Sequence, residues 1–157
     1  MRPTRVGALI CTAALALTMC ACGPDGGQQP YELQDADALL ASGAFDPSMG
    51  PVEPQAVAAL YGLDPATVED CVSYMAANTS VSADELTVLV LTDEQAAQAA
   101  LEACQARVDS QIAVCESYCP AAVPRLEGAV IRQAGRTVLL AVGDPALLPG
   151  AVNGLHA

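Results

Sequence analysis

A long amphipathic helix directly after an apolar strand is the feature of this sequence that most restricts its fold. Residues Leu86–Leu91 (LTVLVL) are apolar and β-branched on both faces, which is typical of a central strand covered on both sides. Thr92 and Gln95 form a capping box, so we predict a helix from Asp93 to about Tyr118. The apolar stripe of this helix, at spacings of three or four residues, is Ala97, Leu101, Cys104, Val108, Ile112, Cys115 and Cys119.

Three further strands are predicted around this unit. Residues 70–76 fit a strand after one helical turn at Asp64-Pro65, although their apolar spacing also fits a helix; we choose the strand. Strands at 127–133 and 137–142 flank a hairpin turn at Ala134-Gly135.

Helix start and stop signals place the remaining elements. Short helices are predicted at 35–42, where Gly43 is the stop signal, and at 53–61. Pro120 and Pro124 should end the long helix, and a short terminal helix after Asp144-Pro145 should be interrupted at Pro149-Gly150. The order of elements predicts an α+β fold: an antiparallel sheet of about four strands packed against a long central helix, with short flanking helices.

Composition excludes several classes of function. The chain has 157 residues, with six Arg, no Lys and 18 acidic side chains, so its net charge is −12. Binding to the phosphate backbone of a nucleic acid requires clustered positive charge, which this chain does not have. With four Tyr, one Phe and no Trp, the core must be aliphatic and no aromatic platform for stacking bases is available. We therefore expect no nucleic-acid partner. Because the single histidine is His156, histidine triads and His-rich zinc sites are also excluded.

The first 21 residues have the pattern of a bacterial export signal. Arg2 and Arg5 precede an apolar run, Val6–Met19, which is followed by small residues. The uncharged run to Ala21 has 16 residues and would span about 24 Å as a helix, which is short for a bilayer core of roughly 30 Å. The arginines favour a cytoplasmic N-terminus and export of the rest of the chain.

The end of this signal resembles a lipobox, in which a small residue precedes a cysteine that receives a diacylglyceryl lipid. We assign the lipid to Cys22, with cleavage after Ala21; Cys20 is the runner-up, because the bulky Met19 precedes it. An ordinary secreted protein cut near Ala21 is the alternative. Residues 22–30 then form the lipidated cysteine and a flexible linker (CGPDGGQQP), and 31–157 form a single extracytoplasmic domain. We expect that domain on the outer face of the cytoplasmic membrane.

Four cysteines remain in the predicted domain. They are Cys71, Cys104, Cys115 and Cys119. On one helix Cys104 and Cys115 lie about 16 Å apart, too far for a disulfide, so the useful bridge would join Cys71 to Cys104, Cys115 or Cys119. The alternative interpretation is that all four cysteines are unpaired and serve as small apolar side chains in the core. A redox role for Cys115 and Cys119 is a further alternative, although the C-terminal end of a helix raises a thiol pKa, and no metal site is indicated.

Adjacent carboxylates could be offered as acid–base or calcium sites. The pairs are Glu69-Asp70, Asp84-Glu85 and Asp93-Glu94. Neighbouring residues on a strand point to opposite faces, and helix capping explains the third pair. We therefore predict that these carboxylates are solvated surface groups and that no catalytic constellation is present.

The C-terminal half of the chain contains a characteristic series of segments: 118–131 (YCPAAVPRLEGAVI), then Gly135, 138–142 and Asp144. With these segments the chain resembles an uncharacterised domain-of-unknown-function family of lipoproteins from Gram-positive anaerobic bacteria. Upstream segments 36–40, 60–63 and 82–86 fit the same pattern and extend the resemblance over about residues 31–150. The chain departs from the pattern at Gly128, where a polar residue such as Asn is expected, and at Thr137, where Tyr is usual. The resemblance implies an exported, lipid-anchored domain and no known activity.

These observations favour a non-enzymatic, lipid-anchored module that binds a protein partner or a small solute outside the cell. A thiol-based redox or other envelope enzyme using Cys115 and Cys119 is the first alternative, and a structural envelope component is the second. We expect the membrane to be contacted through the lipid on Cys22, and no cofactor besides that lipid.

Overall fold

Five strands form one antiparallel sheet in the order β1-β2-β3-β5-β4 in a computed structural model that describes residues 29–156. The strands are β1 Gly50–Pro51, β2 Val68–Met75, β3 Glu85–Leu91, β4 Val130–Ala134 and β5 Thr137–Val142. The helices are α1 Asp35–Ala41, α2 Pro54–Tyr61, α3 Glu94–Tyr118, α4 Val123–Glu127 and α5 Leu148–Asn153, with 3-10 turns at Pro65–Thr67 and Pro120–Ala122. The predicted α+β class is confirmed, with one more strand than expected.

The sheet separates two apolar cores. Alternate residues of β3 point to opposite faces, so Leu89 and Leu91 enter the core under α2, α3 and α4, whereas Leu86 and Val88 enter the core under α1 and α5. Both β3 and β5 are covered on both faces, as the apolar sequence of β3 predicted.

The register of β3 against β5 defines two opposite ends of the sheet. Glu85 pairs with Val142 at one end, and Val90 pairs with Thr137 at the other. The backbone N–H of Tyr31 donates to Thr137 Oγ1 at 2.9 Å, so the first described residues lie at the Thr137 end. Because β5 rises about 3.4 Å per residue, roughly 17 Å of strand separates this end from Glu85.

Helix α3 begins one residue later than the capping box suggested. Asp93, not Thr92, is the N-cap, and its Oδ1 accepts from the Ala96 N–H at 2.8 Å. The predicted stripe is correct at Ala97, Cys104, Val108, Cys115 and Cys119, which are buried. Leu101 is half-buried, and Ala100 is fully buried in its place, because the small side chain lets the helix pack closely against the sheet.

Pro124, predicted to end the long helix, and Pro149, predicted to interrupt the terminal helix, each lie at the start of a helix instead. Pro124 lies in the first turn of α4 and Pro149 in the first turn of α5, where the missing N–H is not needed for a helical hydrogen bond. Residues 127–129 consequently end α4 and lead into β4, so the strand predicted from Glu127 begins at Val130. The hairpin turn is Gly135-Arg136 rather than Ala134-Gly135, with Gly135 at a φ of 56°.

The strand interpretation of residues 70–76 is confirmed by β2, which comes after a 3-10 turn capped by the Asp64 side chain. The short helices before it are confirmed as α1 and α2, and Gly43 and Gly62 come after them at positive φ. The two-residue strand β1, which the sequence did not predict, pairs with the outer edge of β2.

The two departures from the family pattern both have a structural role. A Cβ atom at Gly128 would meet Pro145 Cβ at 2.7 Å, so only glycine allows this close packing. Thr137 Oγ1 accepts from the Tyr31 N–H and donates to the Ala134 carbonyl at 2.8 Å. The hydroxyl of Thr137 thereby ties the start of the domain to the β4–β5 hairpin.

Replacing Gly143 by alanine is expected to destabilise the domain by about 1–3 kcal/mol, because a Cβ there would meet the Ala44 carbonyl oxygen at 2.6 Å and the Phe45 ring at 3.2 Å. Urea unfolding followed by circular dichroism measures the change. Gly150→Ala is the control: nothing lies within 4 Å of its Cβ position in α5, so its stability should not fall. Equal stability of Gly143→Ala and the parent would contradict this close approach.

The predicted signal peptide, the cleavage residue Ala21, the cysteines Cys20 and Cys22, and all but the last two linker residues lie outside the described residues. Between residues 29 and 156, none of the helices combines the length and apolar character that crossing a bilayer requires.

Candidate functional site

Two adjacent carboxylates at the start of β3 are buried. Asp84 and Glu85 have side-chain exposures of 0% and 3%, so the prediction that this pair is solvated is wrong. Successive side chains along an extended chain point to opposite sides, so Asp84 and Glu85 contact different partners. Each carboxylate is nevertheless paired with an arginine: Arg125 bonds Asp84, and Arg107 bonds Glu85.

Glu85 accepts hydrogen bonds from three side chains. Arg107 Nε lies 2.7 Å and 3.0 Å from its two oxygens, Gln111 Nε2 lies 3.3 Å from Oε2, and the Tyr61 hydroxyl contacts Oε1. The Arg107 guanidinium also lies over the Tyr61 ring, 5.5 Å from its centroid. Arg107 is therefore largely buried, with 16% of its side chain exposed.

A chain of hydroxyl groups runs inward from Glu85. Because a phenol has one proton and a carboxylate only accepts, Tyr61 donates to Glu85 and Thr87 Oγ1, 2.7 Å away, donates to Tyr61. Ser73 Oγ then donates to Thr87 Oγ1 at 2.7 Å. Burial, and after it the charge of Glu85, raises the pKa of Tyr61 well above its usual value, so the phenol stays protonated.

Asp84 joins three separate segments. Arg125 Nε and Nη2 donate to its two oxygens at 2.6 Å and 2.7 Å, and the Asp46 N–H donates to Oδ2 at 2.8 Å. Arg125 Nη2 also lies 3.4 Å from the Ala44 carbonyl oxygen. The carboxylate therefore fixes α4 and the loop at 44–46 against the start of β3.

A cleft of about 290 Å³ opens beside Glu85, between the loop at 76–84 and the C-terminal half of α3. Its wall is partly apolar, from Met75, Ala83 and Val114, and partly polar, from Ser82, Ser110 and Gln111. Arg107 also lines it, together with the carboxylates Asp84 and Glu85 that the two arginines pair, so the charged groups of the site stand in a mixed apolar and polar wall.

The sequence model of a family described as "Domain of unknown function (DUF4358)" matches residues 41–143, about two thirds of the chain. The chain belongs to this family. The match includes both buried ion pairs and every residue that lines the cleft. No curated protein and no solved structure matches the chain. The resemblance to an uncharacterised domain family is thus confirmed, and the export, lipid anchor and bacterial source that it implied stay predictions.

The cysteines of the DUF4358 domain lie mostly in its interior, and Cys115 also lines the cleft. Cys104, Cys115 and Cys119 are buried, and Cys71 is half-buried, with its Sγ 3.9 Å from the Pro54 carbonyl oxygen. Burial raises the pKa of Cys104 to about 12 and also raises the pKa values of Cys71 and Cys115. All four are free thiols in this structure, so a bridge from Cys71 to a helix cysteine stays a prediction. Within the described part of the chain, no cluster of three His, Cys, Asp or Glu side chains could hold a metal ion.

Apolar side chains of the DUF4358 domain are exposed around the cleft. Val114, on the cleft wall, is followed one helical turn later by Tyr118, whose exposed fraction is 84%, and Val81 protrudes from the loop on the other side. The rim of the cleft therefore offers apolar contact area to a ligand or a partner.

The prediction that Asp84 and Glu85 are solvated fails because strand alternation excludes only a site that the two carboxylates share, and each of them is buried against an arginine of its own. A usable signal is present: Asp84-Glu85 directly precede the most apolar strand in a domain that has only four arginines. Arg107 and Gln111, four residues apart, lie beside the apolar stripe of α3, where one face of the helix meets the start of that strand. Their distance in sequence from Glu85 gave no indication of contact.

Proposed function

We propose that this chain is a non-enzymatic, lipid-anchored extracytoplasmic module that binds a small solute in the cleft between the loop at 76–84 and α3. The observation that carries the proposal is the cleft itself, in which an immobilised arginine stands beside apolar and hydroxyl-bearing side chains. Sites that bind small molecules usually have a largely apolar wall with a few polar groups that orient the ligand.

The bonding of the charged groups favours binding over catalysis. Glu85 is held by Arg107, Gln111 and Tyr61, and Asp84 is held by Arg125 and the Asp46 N–H, so each carboxylate is already paired with an arginine and a further donor, which favours a structural role over proton transfer. Tyr61 is kept protonated by burial.

The position of the cleft suits a membrane-anchored receptor. The chain enters the domain at Tyr31, beside Thr137, and Glu85 marks the opposite end of the sheet, roughly 17 Å of strand away. With a lipid on Cys22 and a short linker, the cleft would face away from the membrane, toward solutes in the surroundings.

Filling the cleft tests this function. A library of metabolite-sized compounds is screened by thermal shift against the parent, Ser110→Trp and Ser117→Trp. Ser110 lines the cleft, so an indole there should abolish the stabilisation by compounds that raise the Tm of the parent. Ser117 is exposed on the same helix and does not line the cleft, so its variant should respond as the parent does. A library without a binder, or binders unaffected by Ser110→Trp, would contradict the proposal.

Cysteine reactivity tests the alternative of thiol chemistry. At pH 8 the four thiols of the folded domain should react with a disulfide reagent more slowly than free cysteine, because raised pKa values of Cys71, Cys104 and Cys115 reduce their thiolate fractions. Cys104 should react only after unfolding in urea. A fast-reacting thiol at this pH, mapped to Cys115 or Cys119 by mass spectrometry, would instead favour the redox alternative.

A further inference from the structure

Arg107 has hydrogen-bond donors that the protein does not use. Its Nε donates to both oxygens of Glu85, and its Nη2 has only the Met75 sulfur, 3.9 Å away. Its Nη1 has no acceptor among the described residues. Since no buried side-chain nitrogen or oxygen in that part of the chain lacks a partner, Nη1 must be accessible. Arg107 lines the cleft beside Glu85 and also a second cleft between the end of α2 and α3. Met75, the neighbour of Nη2, lines only the first of these, so the Nη1–Nη2 edge lies toward the cleft beside Glu85.

The second arginine of the site is bonded differently. Arg125 donates to Asp84 through both Nε and Nη2, and its Nη2 also reaches the Ala44 carbonyl oxygen, so its Nε–Nη2 edge is occupied within the fold. Arg107 pairs with Glu85 through Nε alone, which leaves the planar edge formed by Nη1 and Nη2 for another acceptor. Arg125 does not line the cleft and Arg107 does, so the donors of Arg107 are the ones that a ligand in the cleft can use.

We propose that the cleft is a monocarboxylate site, in which Nη1 and Nη2 of Arg107 donate to the two oxygens of a ligand whose aliphatic part contacts Met75, Ala83 and Val114. This inference rests on the proposed function and names its ligand class. A carboxylate is the planar two-oxygen acceptor that matches the guanidinium edge. The cleft volume of about 290 Å³ is at the small end for ligand pockets and suits a metabolite-sized acid.

The surroundings of Arg107 restrict the charge of the ligand. Glu85 already balances the guanidinium, and the chain as a whole is strongly acidic, so long-range attraction does not recruit anions. Binding must come from the two short hydrogen bonds and from apolar contact, with the guanidinium held in place by Glu85 and by the Tyr61 ring. A second negative charge would find no partner, so dicarboxylates should bind more weakly than monocarboxylates.

The test compares an acid with its amide on the whole domain. Titration of the ¹⁵N-labelled protein with 4-methylpentanoate and with 4-methylpentanamide, followed by NMR, should give an affinity at least ten-fold higher for the acid. The signals that shift should come from residues 75–85 and 107–115. N-acetyl-leucine and its amide form a second pair: stronger binding of this acid than of 4-methylpentanoate identifies a peptide C-terminus, and weaker binding identifies a free acid. Either result supports a carboxylate site.

Variants test the role of the two-donor edge. Arg107→Lys keeps a positive charge but has no planar fork, so the acid should bind at least ten-fold more weakly. Arg136→Lys is the matched control, because Arg136 is 51% exposed and pairs with Glu69 near the other end of β3. The acid–amide comparison needs no variant and stays decisive if Arg107→Lys unfolds.

Three outcomes would overturn the carboxylate assignment. They are equal affinities for the acid and the amide, an unchanged affinity of folded Arg107→Lys for the acid, and no binding of either acid. The thermal-shift screen with Ser110→Trp is independent of these outcomes. If that screen finds neutral ligands of the cleft, the proposed binding function holds and only the ligand class is wrong.

Discussion

Arg125→Met should destabilise the domain by about 3–5 kcal/mol, because it leaves the Asp84 carboxylate fully buried with only the Asp46 N–H as a donor. Of the two buried ion pairs this is the more sensitive, since Glu85 would keep Tyr61 and Gln111 if Arg107 were lost. The free energy of unfolding in urea at pH 7 measures the effect. Arg125 does not line the cleft, so ligand binding by the folded fraction should persist.

Two controls separate a buried charge from the loss of an arginine as such. In Asp84→Asn/Arg125→Met the unpaired charge is gone, so at least half of the lost stability should return. Arg136→Met breaks an exposed pair with Glu69 and should cost less than about 1 kcal/mol. If Arg125→Met and Arg136→Met have equal stabilities, the pair at Asp84 does not hold the fold together.

Cys22→Ala should move the full-length protein from the membrane fraction to the soluble fraction of the producing bacterium. Two acyl chains hold a protein on a bilayer because each buried methylene contributes about 0.8 kcal/mol, and the variant has no sulfur at position 22 to carry them. Fractionation and intact mass spectrometry measure the result: the parent should lack residues 1–21 and carry the lipid mass.

Cys20→Ala is the matched control for this lipid assignment. It retains Cys22 after Ala21, so it should stay in the membrane fraction with the same lipid mass. If Cys20→Ala is released from the membrane fraction and Cys22→Ala stays in it, the lipid is carried by Cys20 and not by Cys22. If the parent protein is found in the cytosol with its first 21 residues and without a lipid, the prediction of a lipid anchor is wrong.

The elements predicted most accurately are those with strong local signals. The unbroken apolar run of β3 and the three-to-four spacing of α3 each specify one kind of secondary structure, and both occur within a residue or two of the prediction. Pro124 and Pro149 misled because proline is compatible both with the end of one helix and with the first turn of the next. Only the downstream residues decide between these two roles.

The candidate site could not be predicted in the same way. Glu85 and Arg107 are 22 residues apart, and Asp84 and Arg125 are 41 residues apart, so no local pattern joins them. A carboxylate is usually solvated because its burial is costly, and that rule fails only where the fold supplies a cation. Prediction of the pairs would have required the position of α3 and α4 over the start of β3.

Sequence alone determined the class of fold, the aliphatic nature of its core and the expectation of an exported, lipidated chain, because periodicity, composition and a short N-terminal motif are local properties. Tertiary structure alone decided which charges are buried, which arginine lines the cleft, and that the cleft lies at the opposite end of the sheet from Tyr31, where the chain enters the domain. The reason is that burial and pairing depend on strand register and helix packing, which bring together residues that are distant in the chain.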